Sequence, residues 1–282
     1  MKTIALALIG LVGAPVLGGL IAGLDRKLTA KIQSRIGPPL LQPFYDLGKL
    51  LGKERLLVSV WQSFCAWIYV SAAAVSVVLF FMQSDLLYIF FIQAVGSVFL
   101  VIGALAVPSP FSQVGAQREL LQILAYEPLL ILVIVGVFLT TGSFKISAAL
   151  AHETPLLFKL PLLFLALGYA LTIKLRKSPF DVSSSHHAHQ EIVRGVLTEY
   201  SGPTLALLEI AHWYEVVLVL GLISLFWATS WTGMAVLLLV VYAAEILVDN
   251  ATSRMTWRWM LGRVWAAGLA LSCLNLIWLY AG

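Results

Sequence analysis

Residues 119–141 read ELLQILAYEPLLILVIVGVFLTT, and this stretch decides the class of the fold. It is long and apolar enough to cross a bilayer, since a transmembrane helix needs about 20 mostly apolar residues. Glu127 interrupts it about eight residues from its start, roughly 12 Å along a helix that rises 1.5 Å per residue. A carboxylate at that depth is costly unless it faces protein, water or a counter-charge, so the stretch predicts a functional transmembrane helix.

The composition extends this prediction to the whole chain. Of the 282 residues, 60% are hydrophobic and 11% are charged, whereas about a quarter of the residues of a soluble protein are charged. We therefore expect an all-α membrane protein: a single transmembrane domain over residues 1–282, with about eight transmembrane helices. The apolar runs fall at about 3–24, 61–83, 87–107, 119–141, 156–174, 206–229, 232–251 and 264–281.

The Lys and Arg residues predict the orientation. The loops at about 25–60, 108–118, 174–205 and 252–263 hold 15 of the 18 Lys and Arg residues. Because cytoplasmic loops are enriched in Lys and Arg, we expect these loops in the cytoplasm and both termini outside, in the cell's inner (cytoplasmic) membrane. The same distribution explains the net charge of +4 without nucleic acid as a partner. The first run lacks a clear cleavage site, so we expect a retained helix rather than a signal peptide.

The first loop contains a second kind of helical pattern. From Leu40 onward its apolar residues recur close to the helical period, with Lys49 and Lys53 among them, and Pro38 and Gly52 near the two ends are typical boundaries. The pattern predicts an amphipathic helix in the membrane interface. A specific role and a passive lipid anchor both fit this pattern.

Pro128 directly follows Glu127. Proline lacks the amide hydrogen that would bond the Leu124 carbonyl, so we expect a kink one turn below the carboxylate. A water shared by the freed carbonyl and Glu127 is one arrangement that fits. Glu127 is either part of an ion path or a structural acid paired with Lys or Arg.

Further acidic and imidazole groups lie in the later runs. His212 and Glu215 are three residues apart, and Glu245 and Asp249 are four apart, so each pair shares one helix face. Two carboxylates one turn apart in a low dielectric do not both stay ionised, and such groups with water between them suit a proton relay. For Asp249, neutralisation by Arg254 or Arg258 is an equally good structural alternative.

The loop over residues 181–202 is the most polar part of the chain, which indicates contact with a partner or a polar cavity. The candidate residues for coupling and partner contact on the cytoplasmic side are Asp181, Glu191, Arg194, Glu199 and Tyr200 of this loop, together with Arg35 of the first loop. It also holds His186, His187 and His189, whose clustering fits solvated side chains better than a metal site. Cys65 and Cys273 lie in apolar runs, far apart, and we expect both to be small buried hydrophobic residues. No pattern for an electron carrier is present.

Several of these residues form motifs that resemble the H subunit of respiratory complex I. The motifs are RKL at 26–28, QSRIGP at 33–38 (including Arg35), LQP at 41–43, AYE at 125–127, PFD at 179–181, EIVRG at 191–195 and TEYSG at 198–202. They occur in order, in separated loops and spans, and the eight-helix topology covers the whole chain.

Two departures resemble a different branch. Lys174, Arg176 and Lys177 precede PFD where the complex I version carries an acidic Glu-x-x-Arg, and SSSHHAH at 183–189 replaces a Glu-Ala-Glu tract. The Ser/His version resembles the membrane subunit of energy-converting NiFe hydrogenases of the Ech type, including carbon-monoxide-linked relatives. His212 then stands where complex I has a buried Glu.

The resemblance implies a non-catalytic, ion-translocating anchor subunit. Its partners would be the hydrogenase small and large subunits, an antiporter-like membrane subunit and the lipid bilayer, with ferredoxin acting indirectly. The 4Fe-4S clusters and the NiFe centre would lie in the partner subunits, with no cofactor in this chain. A complex I type subunit with a quinone site is the runner-up. A stand-alone transporter would predict inverted repeats, which the sequence lacks, and a passive anchor would not need several buried carboxylates.

Overall fold

In a computed structural model, which describes residues 2–54, 56, 58–183 and 194–281, the protein is all-α. Its helices are α1 (Lys2–Ile32), α2 (Gln42–Leu51), α3 (Val60–Phe81), α4 (Leu86–Leu105), α5 (Pro110–Thr141), α6 (Ile146–Leu150), α7 (Leu156–Lys159), α8 (Pro161–Lys174), α9 (Gly202–Ser224), α10 (Trp231–Ala251), α11 (Trp257–Arg263) and α12 (Ala270–Ala281). Short 3-10 turns lie at Gly195–Leu197 and Leu225–Trp227, and a π-helical segment, Val264–Leu269, joins α11 to α12.

Within the described residues, seven helices are long and apolar enough to cross a membrane. They are α1, α3, α4, α5, α9 with its 3-10 extension, α10 and the continuous segment Trp257–Ala281. The multi-pass membrane fold predicted from the composition is therefore confirmed, with a count close to the eight expected.

The eighth expected span, 156–174, is interrupted. Leu160 separates α7 from α8, which begins at Pro161, and the 14 residues of α8 rise only about 21 Å, short of a hydrocarbon core of about 30 Å. Most of α8 is enclosed by other helices, and Leu163, Ala166 and Leu167 have no exposed surface. A short helix is acceptable there, because the chain that follows it, residues 175–183, is covered by protein rather than by lipid.

Two helices run beyond their apolar stretches. α1 continues through Asp25 and Arg26 to Ile32, and α5 begins at Pro110, so the expected loop at 108–118 is mostly helical. Pro110 at the first helical position fixes a suitable φ and needs no hydrogen-bond acceptor. Glu127 consequently lies deeper within α5 than its distance from the start of the apolar run indicates.

Both prolines inside long helices free a carbonyl, and each carbonyl has a donor from another helix. Pro15 frees the Leu11 carbonyl, which accepts from the Tyr214 hydroxyl at 2.5 Å. Pro128 frees the Leu124 carbonyl, which accepts from the Trp265 indole N–H at 3.2 Å. The donor to Leu124 is available because the π-helical segment carrying Trp265 packs beside α5, and a water shared with Glu127 stays a prediction.

The amphipathic helix expected in the first loop is confirmed as α2, which ends at Leu51 with Gly52 as its C-cap. α1 packs closely on both α2 and α9 because it has glycines at the two contacts, Gly19 facing α2 and Gly18 facing α9. A Cβ on Gly18 would lie 2.6 Å from the Trp213 carbonyl oxygen, and one on Gly19 would overlap the Phe44 ring. The Phe44 and Trp213 rings meet with centroids 5.3 Å apart, which fixes α2 against the bundle.

Candidate functional site

The segment that follows α8 carries three buried cations. Lys174, Arg176 and Lys177 are 8%, 8% and 5% exposed. In the sequence, all three count among the loop Lys and Arg residues that predict which side of the membrane is cytoplasmic. Because they are buried in the structure, they no longer support that prediction. A cation this far from water requires a specific counter-charge, because its desolvation costs several kcal/mol.

Each buried cation has an acid from a different helix. Lys174 Nζ lies 3.0 Å from Glu215 Oε1 of α9. Arg176 Nη2 lies 3.9 Å from Glu119 Oε1 of α5, and Lys177 Nζ lies 2.7 Å from Asp25 Oδ1 of α1. These three ion pairs tie the end of α8 to three long helices at once.

The Lys174–Glu215 pair is the centre of a wider polar group, the inner cluster (Gln93, Ser97, Tyr126, Lys174 and Glu215). Gln93 Nε2 donates to Glu215 Oε1, the atom that Lys174 also contacts. The Ser97 and Tyr126 hydroxyls are 3.2 Å apart, and the Lys174 ammonium sits 4.7 Å from the centroid of the Tyr126 ring. The cluster joins α4, α5, α8 and α9 deep inside the bundle.

A small cavity, the inner cavity, adjoins this cluster. It holds about 50 Å³ and is lined by apolar side chains except for Gln93, Tyr126, Glu127 and Lys174. Glu127 Oε1 and Gln93 Oε1 are buried without a hydrogen-bond partner in the described chain. The volume suffices for a few water molecules, since one water needs about 10–15 Å³ measured in this way, and the two orphaned oxygens supply acceptors for them.

A second cavity, the outer cavity, lies between α1, α9, α10 and the segment after α8. It holds about 320 Å³. Its charged and titratable lining consists of Asp25, Arg26, Arg35, Arg176, Lys177, Glu209, His212, Tyr242 and Asp249. Three of the predicted residues, Arg35, His212 and Asp249, therefore come together here, although they are far apart in the sequence.

The two cavities are separated by the Lys174–Glu215 pair. Lys174 lines the inner cavity, whereas its neighbours Leu175 and Arg176 line the outer one. Glu215 is nearly one helical turn beyond His212, which lines the outer cavity. A line of titratable groups thus runs from His212 through Glu215 and Lys174 to Glu127.

Glu245 and Asp249 share a face of α10 as predicted but meet different partners. Glu245 is 7% exposed, and its Oε1 accepts from the Thr172 hydroxyl at 3.1 Å. Asp249 Oδ1 accepts from the Ser178 amide at 2.9 Å. Both acids therefore bind the end of α8 and the turn that follows it. Arg258 lies over the Trp257 ring, with 5.2 Å to the centroid.

The predicted contact loop is only partly described. Asp181 is 1% exposed and lies 3.7 Å from Arg254 Nε, and Arg194 Nη1 lies 3.5 Å from Glu209 Oε1. Tyr200 is buried, with its hydroxyl beside Gly103, and Glu199 is half-buried before α9. Glu191 and the predicted histidines His186, His187 and His189 lie outside the described residues.

Among the described residues, no group of three His, Cys, Asp or Glu side chains is arranged to hold a metal ion. Cys65 is buried as predicted, but Cys273 is exposed, so that prediction was wrong for one cysteine. Cys273 lies on an exposed face of α12. An apolar run predicts that a residue belongs to a transmembrane helix, but it does not predict which face of the helix the residue occupies.

Comparison with known proteins gives consistent matches. A model of the NADH dehydrogenase family matches residues 4–280. Hydrogenase-4 component C of Escherichia coli (strain K12) is 34% identical over 205 residues, which cover 67% of this chain but only 64%, less than two thirds, of that protein. The H subunit of the NADH-quinone oxidoreductase of Dehalococcoides mccartyi (strain CBDB1) is 28% identical over 282 residues, covering 90% of this chain and 79% of that protein.

A solved structure has the same fold over nearly the whole chain. A chain of the membrane-bound sulfane sulfur reductase, an archaeal respiratory membrane complex, matches with a TM-score of 0.88 and 23% identity, over 99% of this chain and 100% of the other. Because the family model covers almost the entire sequence, this multi-pass membrane protein belongs to the NADH dehydrogenase family.

Proposed function

We propose that this chain is the membrane-anchoring, ion-translocating subunit of an energy-converting hydrogenase. In such a complex, peripheral subunits produce hydrogen with electrons from ferredoxin, and the membrane part couples this reaction, or its reverse, to transport of H⁺ or Na⁺. The similarity to hydrogenase-4 component C supports the hydrogenase assignment. The observation that carries the coupling role is the line of titratable groups between the two cavities, in which Lys174 and Glu215 are buried and His212 and Glu127 are half-buried.

The chemistry of this line suits a relay. A proton reaching the outer cavity meets His212 and Glu209, and Glu215 is the next acid along α9. Glu215 is held by Lys174, so its protonation leaves the Lys174 ammonium without its counter-charge inside the bundle. Glu127, which lines the inner cavity together with Lys174, is the next carboxylate able to compensate that charge.

The ion pairs after α8 supply a link to the partner subunits. Residues 174–177 carry the counter-charges of Asp25, Glu119 and Glu215, and Asp181 follows in the same segment beside Arg254. A change of charge at an iron–sulfur cluster on the cytoplasmic side would act on this segment. It would change the strength of the three ion pairs and so control whether an ion can enter the relay.

The partners follow from this role. We assign the hydrogenase small and large subunits, with the 4Fe-4S clusters and the NiFe centre, to the cytoplasmic side, and an antiporter-like protein to the membrane. The cytoplasmic assignment of loops 25–60 and 252–263 rests on their exposed Lys and Arg residues. It leaves both termini outside the inner membrane, which requires α7 and α8 to make the eighth crossing together.

Purification tests the assignment. The tagged chain, extracted gently from its native membrane, should bring with it nickel, iron and acid-labile sulfide, and the preparation should evolve hydrogen with reduced ferredoxin. Metal analysis and gas chromatography provide the readouts. A preparation that carries iron and sulfide but no nickel, and that reduces quinone instead, would contradict the hydrogenase assignment.

A complex I type subunit with a quinone site is the second candidate. It is favoured by the similarity to the H subunit of NADH-quinone oxidoreductase and by an outer cavity of about 320 Å³, within the size range of ligand pockets. Its dense charge lining argues for water and ions rather than a quinone ring. Quinone-dependent activity that a site inhibitor abolishes would favour this candidate.

A further inference from the structure

A groove runs between α2 and the start of α9 and shares part of its wall with the outer cavity. It consists of two adjoining spaces of about 270 Å³ and 410 Å³ that share Leu50, Lys53 and Leu205. We call it the α2–α9 groove. Its position, beside an amphipathic helix at the end of the transmembrane bundle, is where lipid headgroups meet a membrane protein.

One end of the groove is positively charged. Arg26, Lys49, Lys53 and Arg194 line the first space, against two carboxylates. The carboxylates already have partners, because Asp46 lies 2.9 Å from Arg26 and Glu209 lies 3.5 Å from Arg194. Lys49 and Lys53 are exposed, and Glu54 lines the second space beside Lys53, so the four cations of the groove still exceed its three carboxylates.

The first space is otherwise apolar, and the second space combines apolar side chains with Glu54, Tyr200 and Ser201. Pro43, Leu47 and Leu50 of α2 face Leu205 and Trp213 of α9, and Leu56 continues the wall into the second space. On the outer side of α2, Leu41, Tyr45 and Leu51 are 47%, 57% and 53% exposed. A ligand that matches this lining has an anionic head and an apolar tail.

We propose that the α2–α9 groove binds an anionic phospholipid. Its phosphate lies between Lys49 and Lys53, with Arg26 and Arg194 behind them, and an acyl chain follows the wall from Leu50 to Leu205. Juxtamembrane Lys and Arg residues attract anionic lipids, and basic pockets at the cytoplasmic ends of helices bind their headgroups. A free phosphate would satisfy the cations but leave the apolar wall exposed to water.

The bound lipid would also stabilise the wall of the outer cavity. Arg26, Glu209 and Trp213 line both the groove and the outer cavity. A headgroup that holds Arg26 and Arg194 from the groove side therefore fixes the side chains between the two spaces. This inference is independent of the hydrogenase assignment, since it depends only on α2 lying at the membrane surface.

Native mass spectrometry of the delipidated full chain in neutral detergent tests the proposal with added phosphatidylglycerol. A surface Lys changes affinity for an anionic lipid about fivefold, so Lys49→Gln/Lys53→Gln should weaken binding about 25-fold. The matched control, Lys27→Gln/Lys31→Gln, removes two exposed lysines of α1 that do not line the groove, and should bind like the unaltered chain. Lys49→Arg/Lys53→Arg should retain binding.

Phosphatidylcholine and inorganic phosphate complete the test. Phosphatidylcholine should bind the unaltered chain as weakly as phosphatidylglycerol binds the Lys49→Gln/Lys53→Gln variant, and inorganic phosphate should not displace phosphatidylglycerol. The proposal would be overturned if both glutamine variants weakened binding equally, or if Lys49→Gln/Lys53→Gln left binding unchanged. It would also be overturned if inorganic phosphate or an acidic peptide displaced phosphatidylglycerol.

Discussion

Two ion pairs of nearly equal length occupy opposite environments in this molecule. Lys174 and Glu215 are 3.0 Å apart with side chains 8% and 4% exposed, whereas Arg26 and Asp46 are 2.9 Å apart with side chains 43% and 41% exposed. The buried pair crosses the centre of the bundle, and the exposed pair joins α2 to α1. Distance alone therefore says little about what such a pair does, and burial decides whether its charges are costly and able to carry a relay.

The largest effect should come from breaking the buried pair. Glu215→Gln leaves the Lys174 ammonium buried without its carboxylate, which should cost about 3–5 kcal/mol of unfolding free energy. Denaturant unfolding in detergent micelles measures this loss. The double variant Lys174→Met/Glu215→Leu, which removes both charges, should recover most of it, and a double variant as unstable as Glu215→Gln would show that the pair is not the cause.

An intermediate effect is expected for a buried hydrogen bond without charge. Tyr214→Phe removes the hydroxyl that satisfies the Leu11 carbonyl beside Pro15, at a cost of about 1–3 kcal/mol. The same unfolding measurement applies. Tyr280→Phe is a suitable control because Tyr280 is 95% exposed. Equal stability of the two variants would mean that the freed carbonyl finds another donor.

The smallest effect is expected for the exposed pair. Arg26→Gln should cost only about 0.2–1 kcal/mol, because water screens both partners. Burial alone would raise the pKa of Asp46, but hydrogen bonds from Gln42 and Arg26 outweigh it and hold the pKa below its usual value. A lowered carboxyl pKa contributes stability above the unfolded-state pKa that is lost as the pH falls through the folded-state pKa.

This sign gives the pH dependence of the exposed pair. The difference in stability between the unaltered chain and Arg26→Gln should be present near neutral pH and should vanish in acid, once Asp46 is protonated in both. Thermal unfolding across that range measures it. A difference that persists unchanged in acid would place the effect of Arg26 elsewhere.

Much of the fold could be predicted from the sequence because each apolar run is long and most of the runs are separated by loops that contain charged residues. The amphipathic period after Leu40 correctly predicted α2, and Pro38 and Gly52 lie outside its two ends. The interrupted run at 156–174 was harder, since an enclosed helix need not span the membrane and its composition matches one that does.

The site was only half predictable. Glu215 and Glu245 were found because a carboxylate within an apolar run is conspicuous, and both proved to be buried. Lys174, Arg176 and Lys177 follow an apolar run and look like ordinary loop charges, so their burial was missed. The burial of Arg176 and Lys177 depends on ion pairs with Glu119 and Asp25, which belong to helices far away in the sequence. A local sequence pattern does not indicate such pairs.

Half-buried Glu127 and buried Glu215, beside the inner cavity, are the acids proposed to couple the reaction of the complex to ion transport, and Glu127→Gln tests this role most directly. Inverted membrane vesicles carrying the whole complex would be supplied with reduced ferredoxin, and hydrogen evolution and membrane potential would be recorded together. The matched control is Glu153→Gln, an exposed acid between α6 and α7. We predict that Glu127→Gln vesicles still evolve hydrogen but build no potential, whereas Glu153→Gln vesicles build the full one. A full potential per hydrogen produced in Glu127→Gln vesicles would contradict the relay role of Glu127.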